Sequence, residues 1–391
     1  MLYFDIVIVG AGPSGLCFAQ ALTGCGLRIA ILERQPESAL AEPAFDGREI
    51  ALTQHSAQLL QTLGIWQRID NDAISLLRDA QVLNGPSLYA MRIEHDANKT
   101  ASLGYLVANH LIRQAAYQAV KASTDITLLT DVDISAIHTD NDVAYISLTN
   151  GDQIQTQLLV AADSRFSETR RMLGIPATMH DFGKTMMVCV MEHSMPHHHV
   201  AWEWFDYGQT LALLPMNGMQ SSVVITLPAT EIQRLMSLSE TAFNQEMTTR
   251  FKHRLGTMEL ASTRHAYPLV TAYASQLVAK RCALIGDAAV GMHPVTAHGF
   301  NFGLSGLAVL ANEIKTAQSR SSNIASTALL QRYQRKHRLK TRPLFIATHA
   351  IAKLYGNETI PARVLRAASL HIGNRISPFK RAVAHMLTAA N

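Results

Sequence analysis

The sequence predicts an α/β fold in which a doubly wound unit is interrupted by a smaller, mostly antiparallel β-sheet unit and followed by a helical C-terminal segment. Three observations predict it. The chain opens with an apolar run, a glycine-punctuated turn, a helical stretch and a second apolar run, the order of a βαβ unit. Residues 183–227 have a different texture, with strand-like segments TMMVCVM, VAWEWF, TLALLPM and SSVVITL in succession. A short buried run, Ala283 to Ile285, then leads into a second glycine-rich turn and a long helix, returning the chain to its first unit. The expected division is 1–75, 103–177 and 267–329 for the first unit, 76–102 and 178–266 for the insertion, and 330–391 for the terminal helices.

Each element follows from its residues. Phe4 to Gly10, FDIVIVG, is short, apolar and β-branched, suited to a strand covered on both faces. Leu16 to Leu22 is helical and stops near Gly24 and Gly26, and RIAILE at 28–33 is the second strand. A helical period begins after Thr53, and Leu106 to Ala122 reads as a further helix. Ile126 to Leu148 alternates enough for two or three strands, and Gln155 to Ala162 is a strand leading to Asp163. Ala229 to Leu255 reads as helical.

Composition narrows the function classes. With 48% hydrophobic and 16% charged residues the chain can fill a sizeable core, which excludes wholesale disorder. Four scattered cysteines, Cys17, Cys25, Cys189 and Cys282, form no CxxC pair, which excludes a disulfide scaffold or zinc ribbon and fits a reducing compartment. Ile6 to Leu27 holds no charge, but its five glycines and Pro13 argue against a membrane span. The expected location is cytoplasmic. From Leu330 onward lie twelve of the 34 basic residues but one of the 30 acids, Glu358, so a basic tail follows an acidic body. Such a tail suits an anionic lipid surface or an acidic partner, and equally a solvated helix face; no nucleic-acid motif accompanies it.

Two motifs carry chemistry. Gly10-x-Gly12-x-x-Gly15 sits between strand and helix, and Glu33 ends the next strand. Glycines let the backbone approach a pyrophosphate at the helix N-terminus, and the glutamate accepts a ribose hydroxyl, so the first unit is Rossmann-like and binds a dinucleotide. Far along the chain come Gly286-Asp287-Ala288-Ala289, His293-Pro294 and His298-Gly299-Phe300-Asn301-Phe302-Gly303-Leu304. Asp287 can hold sugar-alcohol hydroxyls there, and the amides of residues 299–301 can face an anionic ring. No second GxGxxG appears.

Together GAGPSG with Glu33-Arg34, Gly47-Arg48-Glu49-Ile50-Ala51-Leu52, Ala161-Ala162-Asp163 and GDAA…HP…GFNFGL resemble the FAD-dependent aromatic hydroxylases of the p-hydroxybenzoate hydroxylase type. Nearly the whole chain is covered, and the ubiquinone-biosynthesis hydroxylases are the nearest group, one subgroup of them sharing the HPVTAHGFN stretch. The resemblance implies a FAD-binding domain of the glutathione-reductase type. It implies that Gly10, Gly12, Ser14 and Gly15 hold the pyrophosphate and that Glu33, with Arg34, serves the adenosine ribose. Arg48 would reach the ribityl–phosphate region, Asp163 would stand beside the cofactor, and Asp287 would hold the ribityl chain. Pro294, Gly299, Phe300 and Asn301 would line the isoalloxazine. It also implies a flavin hydroperoxide that hydroxylates a polyprenylated phenol or quinol, with dioxygen as co-substrate. The electron donor stays open between NAD(P)H and a reductase partner. The basic segment would then meet the inner face of the membrane or a biosynthetic complex. The chain departs from the family at Ser164, at Ala297-His298 and at Ser305-Gly306, where Gly, Gly-Gln and an acid are usual.

The remaining candidates have ordinary readings beside the chemical ones. His293 and His298 flank the expected flavin loop and can move a proton there, or merely orient a turn. Trp202 and Trp204, with Met216, can line an apolar substrate pocket, though Trp202 and Trp204 share a strand face that suits a core equally. His197-His198-His199 lacks a ligand pattern, and no metal is expected. Two other readings of the whole remain: a flavin hydroxylase of a soluble aromatic, and a flavoprotein scaffold. The lack of Arg in residues 183–227 favours an apolar substrate over an acid.

Overall fold

The computed structural model describes residues 1–85, 90–96, 100–206, 208–294, 299–356 and 359. Two large sheets organise them. The first has a parallel centre in the order Cys282–Leu284, Gln153–Ala161, Leu2–Val9, Ile29–Leu32, Ile126–Leu129. Its leading strand is covered on both sides, as its apolar run requires. Ile6 and Ile8 face the helices Pro13–Ala21, Asn109–Lys121 and Gly299–Ser319, while Val7 packs under an antiparallel arm built by Ile134–Thr139 and Ala144–Leu148.

The second sheet runs in the order Val290–Gly291, His265–Ala274, Ala177–His193, Gln220–Leu227, Gln209–Pro215, Val200–Asp206, Asp79–Asn84, Ala90–Ile93. All its pairings are antiparallel except that of Val200–Asp206 with Asp79–Asn84. The strand Ala177–His193 changes register between Asp181 and Thr185, where Gly183 has φ +65°. One face of this sheet is sealed by helices Ala229–Ser237 and Glu240–Arg250 over a core that includes Trp204, Leu211, Val223 and Phe243. Its other face looks toward the first sheet. A small third sheet is formed by Glu49–Thr53, Gly104–Ala108 and Ser75–Leu77, with Gly104–Ala108 in the middle.

Two element readings are corrected. Leu106 to Ala108 belong to a strand, and the helix starts at Asn109, because strand pairing with Glu49–Ile50–Ala51 claims the three apolar residues first. Ala229 to Leu255 is two helices and not one, since the Ser239 hydroxyl accepts from the Ala242 amide at 3.3 Å and starts a second helix. The C-terminal helix Thr327–Gly356 is anchored: Tyr333 is fully buried and donates to the Leu284 carbonyl at 2.6 Å. Cys17, Cys189 and Cys282 are buried, and burial pushes their thiols up to about 12, so they are packing groups and not nucleophiles.

Candidate active site

A cavity of about 1380 Å³ opens between the two sheets, running from the first glycine turn to the inner face of the second sheet. At the nucleotide end the three motif glycines do three different things. Gly10 has φ +104°, and a Cβ there would stand 2.8 Å from the Ala162 carbonyl oxygen. A Cβ on Gly15 would stand 2.0 Å from the Gly10 oxygen, so this glycine seats the helix on the turn. A Cβ on Gly12 would meet no protein atom within 4 Å, which leaves the open ground at the helix start to a ligand. Helix Pro13–Ala21 begins with no side-chain cap and no acid in its first turn, so its positive end is unspent. Glu33 is fixed at the rim by the Ala11 amide at 2.7 Å and the Gln35 amide at 2.9 Å, one to each oxygen. Each oxygen keeps acceptor capacity for a sugar hydroxyl.

Arg34 lies at the rim and is clamped by Asp133 and, at 2.6 Å, by Glu168, both of which push its pKa up. Arg48 pairs with Asp46 at 2.6 Å and lies over the Tyr267 ring, while Asn109 donates to the same carboxylate at 2.7 Å. Asp163 accepts from the Ser167 hydroxyl at 2.5 Å and the Thr169 amide at 3.2 Å, and so braces the 163–169 loop. Asp287 faces the cavity and accepts twice from Arg165, at 2.8 and 3.2 Å. Ser14 ties the two distant motifs together: its Oγ stands 2.6 Å from where a Gly286 Cβ would be and 3.3 Å from that of Gly303. Pro294, Gly299 and Phe300 line the cavity between its two ends.

The Asn301 side chain is committed within the fold: its amide nitrogen donates to the Ala51 carbonyl at 2.8 Å and its oxygen accepts from the Thr53 amide at 3.0 Å, locking the start of its helix to a strand. The expectations for the tryptophans and Met216 need correction. Trp204 is fully buried, with its ring nitrogen donating to the Gly85 carbonyl at 2.9 Å, and Trp202 packs against the same helix-covered core. On that face the helices Ala229–Ser237 and Glu240–Arg250 take the indoles out of water. Met216 also lies outside the cavity wall; its carbonyl accepts from His197 at 2.9 Å. His293 does line the cavity, edge-on to Phe182 at 4.7 Å. Burial, with His349, Lys184 and Arg165 adding to it, pushes this imidazole down to about 4 and keeps it neutral at neutral pH. His298 lies outside the described residues.

Four side chains were missed. Arg165 holds Asp287, and the buried Arg170 donates to the Arg165 and Ala288 carbonyls at 3.1 Å each, joining the Asp163 loop to the second motif. Their place just after Asp163 was the available signal. Glu49 and Glu203 both line the cavity, and burial pushes each up to about 8, with Asp46 adding to the effect at Glu49. A glutamate between two tryptophans on a strand was the signal for Glu203, since it must face away from both.

The donor set fits a flavin dinucleotide: open space at Gly12, an uncapped helix start, a fixed carboxylate for a ribose and Asp287 for a polyol chain. A family model described as FAD binding domain matches residues 3–344. The chain belongs to this FAD-binding family. Ubiquinone hydroxylase UbiM of Neisseria meningitidis is 45% identical over 391 residues, covering 99% of this chain and 85% of that protein. Ubiquinone hydroxylase UbiL of Rhodospirillum rubrum is 32% identical, covering 96% and 87%. The UbiM likeness matches the subgroup indicated by HPVTAHGFN, and the chain belongs with these hydroxylases. Among solved structures, p-nitrophenol 4-monooxygenase PnpA of Pseudomonas putida aligns with a TM-score of 0.79 at 17% identity, covering 98% of this chain and 97% of that one, a likeness of fold. The protein is an FAD-dependent monooxygenase.

Proposed function

We propose that the protein hydroxylates the aromatic ring of a polyprenylated phenol or quinol in ubiquinone biosynthesis, and that residues 76–102 and 178–266 form its substrate domain. One observation carries the choice of substrate. Strands Val200–Asp206, Gln209–Pro215 and Gln220–Leu227 present Phe205, Thr210, Ala212, Leu214, Val224 and Thr226 to the cavity beside Glu203 and Ser222, and no cation, Lys184 lining it from the strand Ala177–His193 instead. An aromatic acid would need a charged partner on that wall, whereas a neutral ring with an isoprenoid tail needs apolar area. The names of the UbiM and UbiL relatives support the same pathway.

When bound and reduced, FAD supplies the electrons that activate dioxygen, one oxygen atom entering the ring and the other leaving as water. The chain's own groups do the rest. The start of helix Pro13–Ala21 and the amides around Gly12 hold the pyrophosphate, Glu33 the ribose, and Asp287 with Arg165 the polyol chain. The apolar wall excludes water and holds the ring. Neutral His293 accepts a hydrogen bond at its imidazole nitrogen. The test is the product mass after the reduced flavoprotein meets labelled dioxygen and a short-tailed methoxyquinol. A gain of one labelled oxygen is expected; hydrogen peroxide alone, with full flavin reoxidation, overturns the reading.

We also infer a peripheral contact with anionic membrane through helix Thr327–Gly356. Leu339 and Ile346 are 70% and 58% exposed beside Arg335, Arg338 and Arg342. Arg332 and Lys336, in contrast, are engaged by Glu313 at 2.8 and 2.7 Å. Among the described residues no helix is long and apolar enough to cross a membrane. Removing the chain from residue 330 would also remove the buried Tyr333, so the clean variant is Arg335→Glu with Arg342→Glu. It should lose flotation with anionic vesicles; retained flotation overturns the inference.

A further inference from the structure

Of the strands Val200–Asp206, Gln209–Pro215 and Gln220–Leu227, which form the far wall of the cavity, one ionisable side chain among the described residues, Glu203, lines it. Glu203 lies opposite Val82 on one side and Ala212 on the other, and the same row continues through Val224 to Val188. Its immediate neighbours across the sheet are therefore aliphatic. Phe205 and Leu214 bracket it on the same face. Among the described residues no group donates to its carboxyl or accepts from it, and no cation pairs with it. Its surface is half-buried because it meets the cavity and not another side chain. Burial holds the group protonated, up to about pH 8. In the same wall the buried Ser222 Oγ also has no hydrogen-bond partner among the described residues.

A polar group withdrawn from water without a partner is a standing cost, and an aliphatic residue here would simply extend the wall. A ligand that supplies the missing partner removes that cost. A protonated carboxyl offers one donor and an acceptor in a single plane, which suits a hydroxyl beside an ether oxygen on an aromatic ring. It suits a ring carboxylate poorly, because desolvation disfavours a second acid in the same place.

We propose that Glu203 is the substrate-positioning residue of this site: its carboxylic acid hydrogen-bonds an oxygen substituent of the aromatic ring and so fixes which ring carbon faces the cofactor. This rests on the hydroxylase reading above and names the group that selects the substrate. Thr210 and Thr226 sit farther along the wall, beside Phe205 and not in the Glu203 row, and leave that row to one polar anchor. The tail then lies along Leu214, Val224 and Val188, which carry no hydrogen-bonding groups on their side chains.

The test uses the FAD-loaded, oxidised protein and follows flavin absorbance. Two probes are titrated, a short-tailed 2-methoxyphenol and the same tail on a ring without oxygen. The parent should prefer the phenol. Glu203→Leu should lose about tenfold or more in phenol affinity and leave the hydrocarbon within about twofold. Glu203→Gln keeps a donor and an acceptor and should restore most of the preference. During turnover Glu203→Leu should also divert more reducing equivalents to hydrogen peroxide and spread hydroxylation over more than one ring carbon. Unchanged FAD content shows the fold intact; if the Leu variant fails to hold FAD, Glu203→Thr takes its place. Equal phenol affinity in variant and parent overturns the proposal, as does a parent with no preference between the probes. A parent that prefers the phenol through Glu203, yet incorporates no labelled oxygen, overturns the hydroxylase reading and leaves Glu203 as the anchor.

Discussion

Glu33 and Glu203 border the same cavity and are held in opposite ways. Each oxygen of Glu33 already has a backbone amide within 2.9 Å, while the carboxyl of Glu203 has aliphatic neighbours and is kept protonated by burial. The difference extends to their surroundings. At the nucleotide end Arg34, Arg48, Asp163 and Asp287 are all engaged by other side chains or amides, so the geometry is set before any ligand arrives. At the far wall the Glu203 carboxyl and the Ser222 hydroxyl have no partner among the described residues and are left to whatever enters. A site for an invariant dinucleotide gains from preorganisation, and a site that selects a ring gains from a group satisfied only by the right one.

That contrast can be broken in several ways. The largest effect is expected from Gly15→Ala, whose new Cβ would overlap the Gly10 carbonyl oxygen; loss of the folded flavoprotein should be visible in circular dichroism and in flavin content. Gly12→Ala adds the same methyl where no protein atom stands and should leave the fold intact while weakening FAD retention. If both variants fold equally, the nucleotide end is less rigid than its contacts imply. Next comes the far wall. Trp204→Ala should cost about 3–5 kcal/mol in denaturant unfolding, whereas Glu203→Leu, one residue away, should cost nothing measurable and change substrate affinity instead.

The smallest effect is in pH dependence. His337 is buried beneath Gly306, and burial, helped by Lys340, pushes its imidazole down to about 4. The unfolded chain then takes up this proton first, so stability holds above the ordinary value of 6.5 and falls as pH drops toward 4. His293 acts in the same direction. Glu203 acts in the opposite one, its stabilisation being lost as pH rises from the ordinary 4.5 through about 8. Urea midpoints should therefore fall less between pH 7 and 9 in Glu203→Gln than in the parent.

The two ends of the cavity also differed in how far they could be read from the chain. GxGxxG and Glu33 are local: one strand, one turn and one helix suffice, and the residues meet as their order implies. Asp287 was legible because it too ends a buried strand. The far wall depends on which face of Val200–Asp206 the distant helices cover, and alternation alone cannot choose between two faces. The assignment of Trp202 and Trp204 to the substrate went to the wrong face for that reason, and Glu203 was passed over with it. The side-chain role of Asn301 was not legible, because its partners Ala51 and Thr53 lie some 250 positions earlier in the chain.

Ser14 fits between Gly286 and Gly303, and Cys282–Leu284 completes the parallel sheet beside Gln153–Ala161. A nascent chain leaving the ribosome therefore carries its glycine turn for most of its synthesis without the segments that close around it. The cofactor seat is finished late, when the residues near 303 emerge. Until then the N-terminal motif lacks the segments that pack against it in the finished fold.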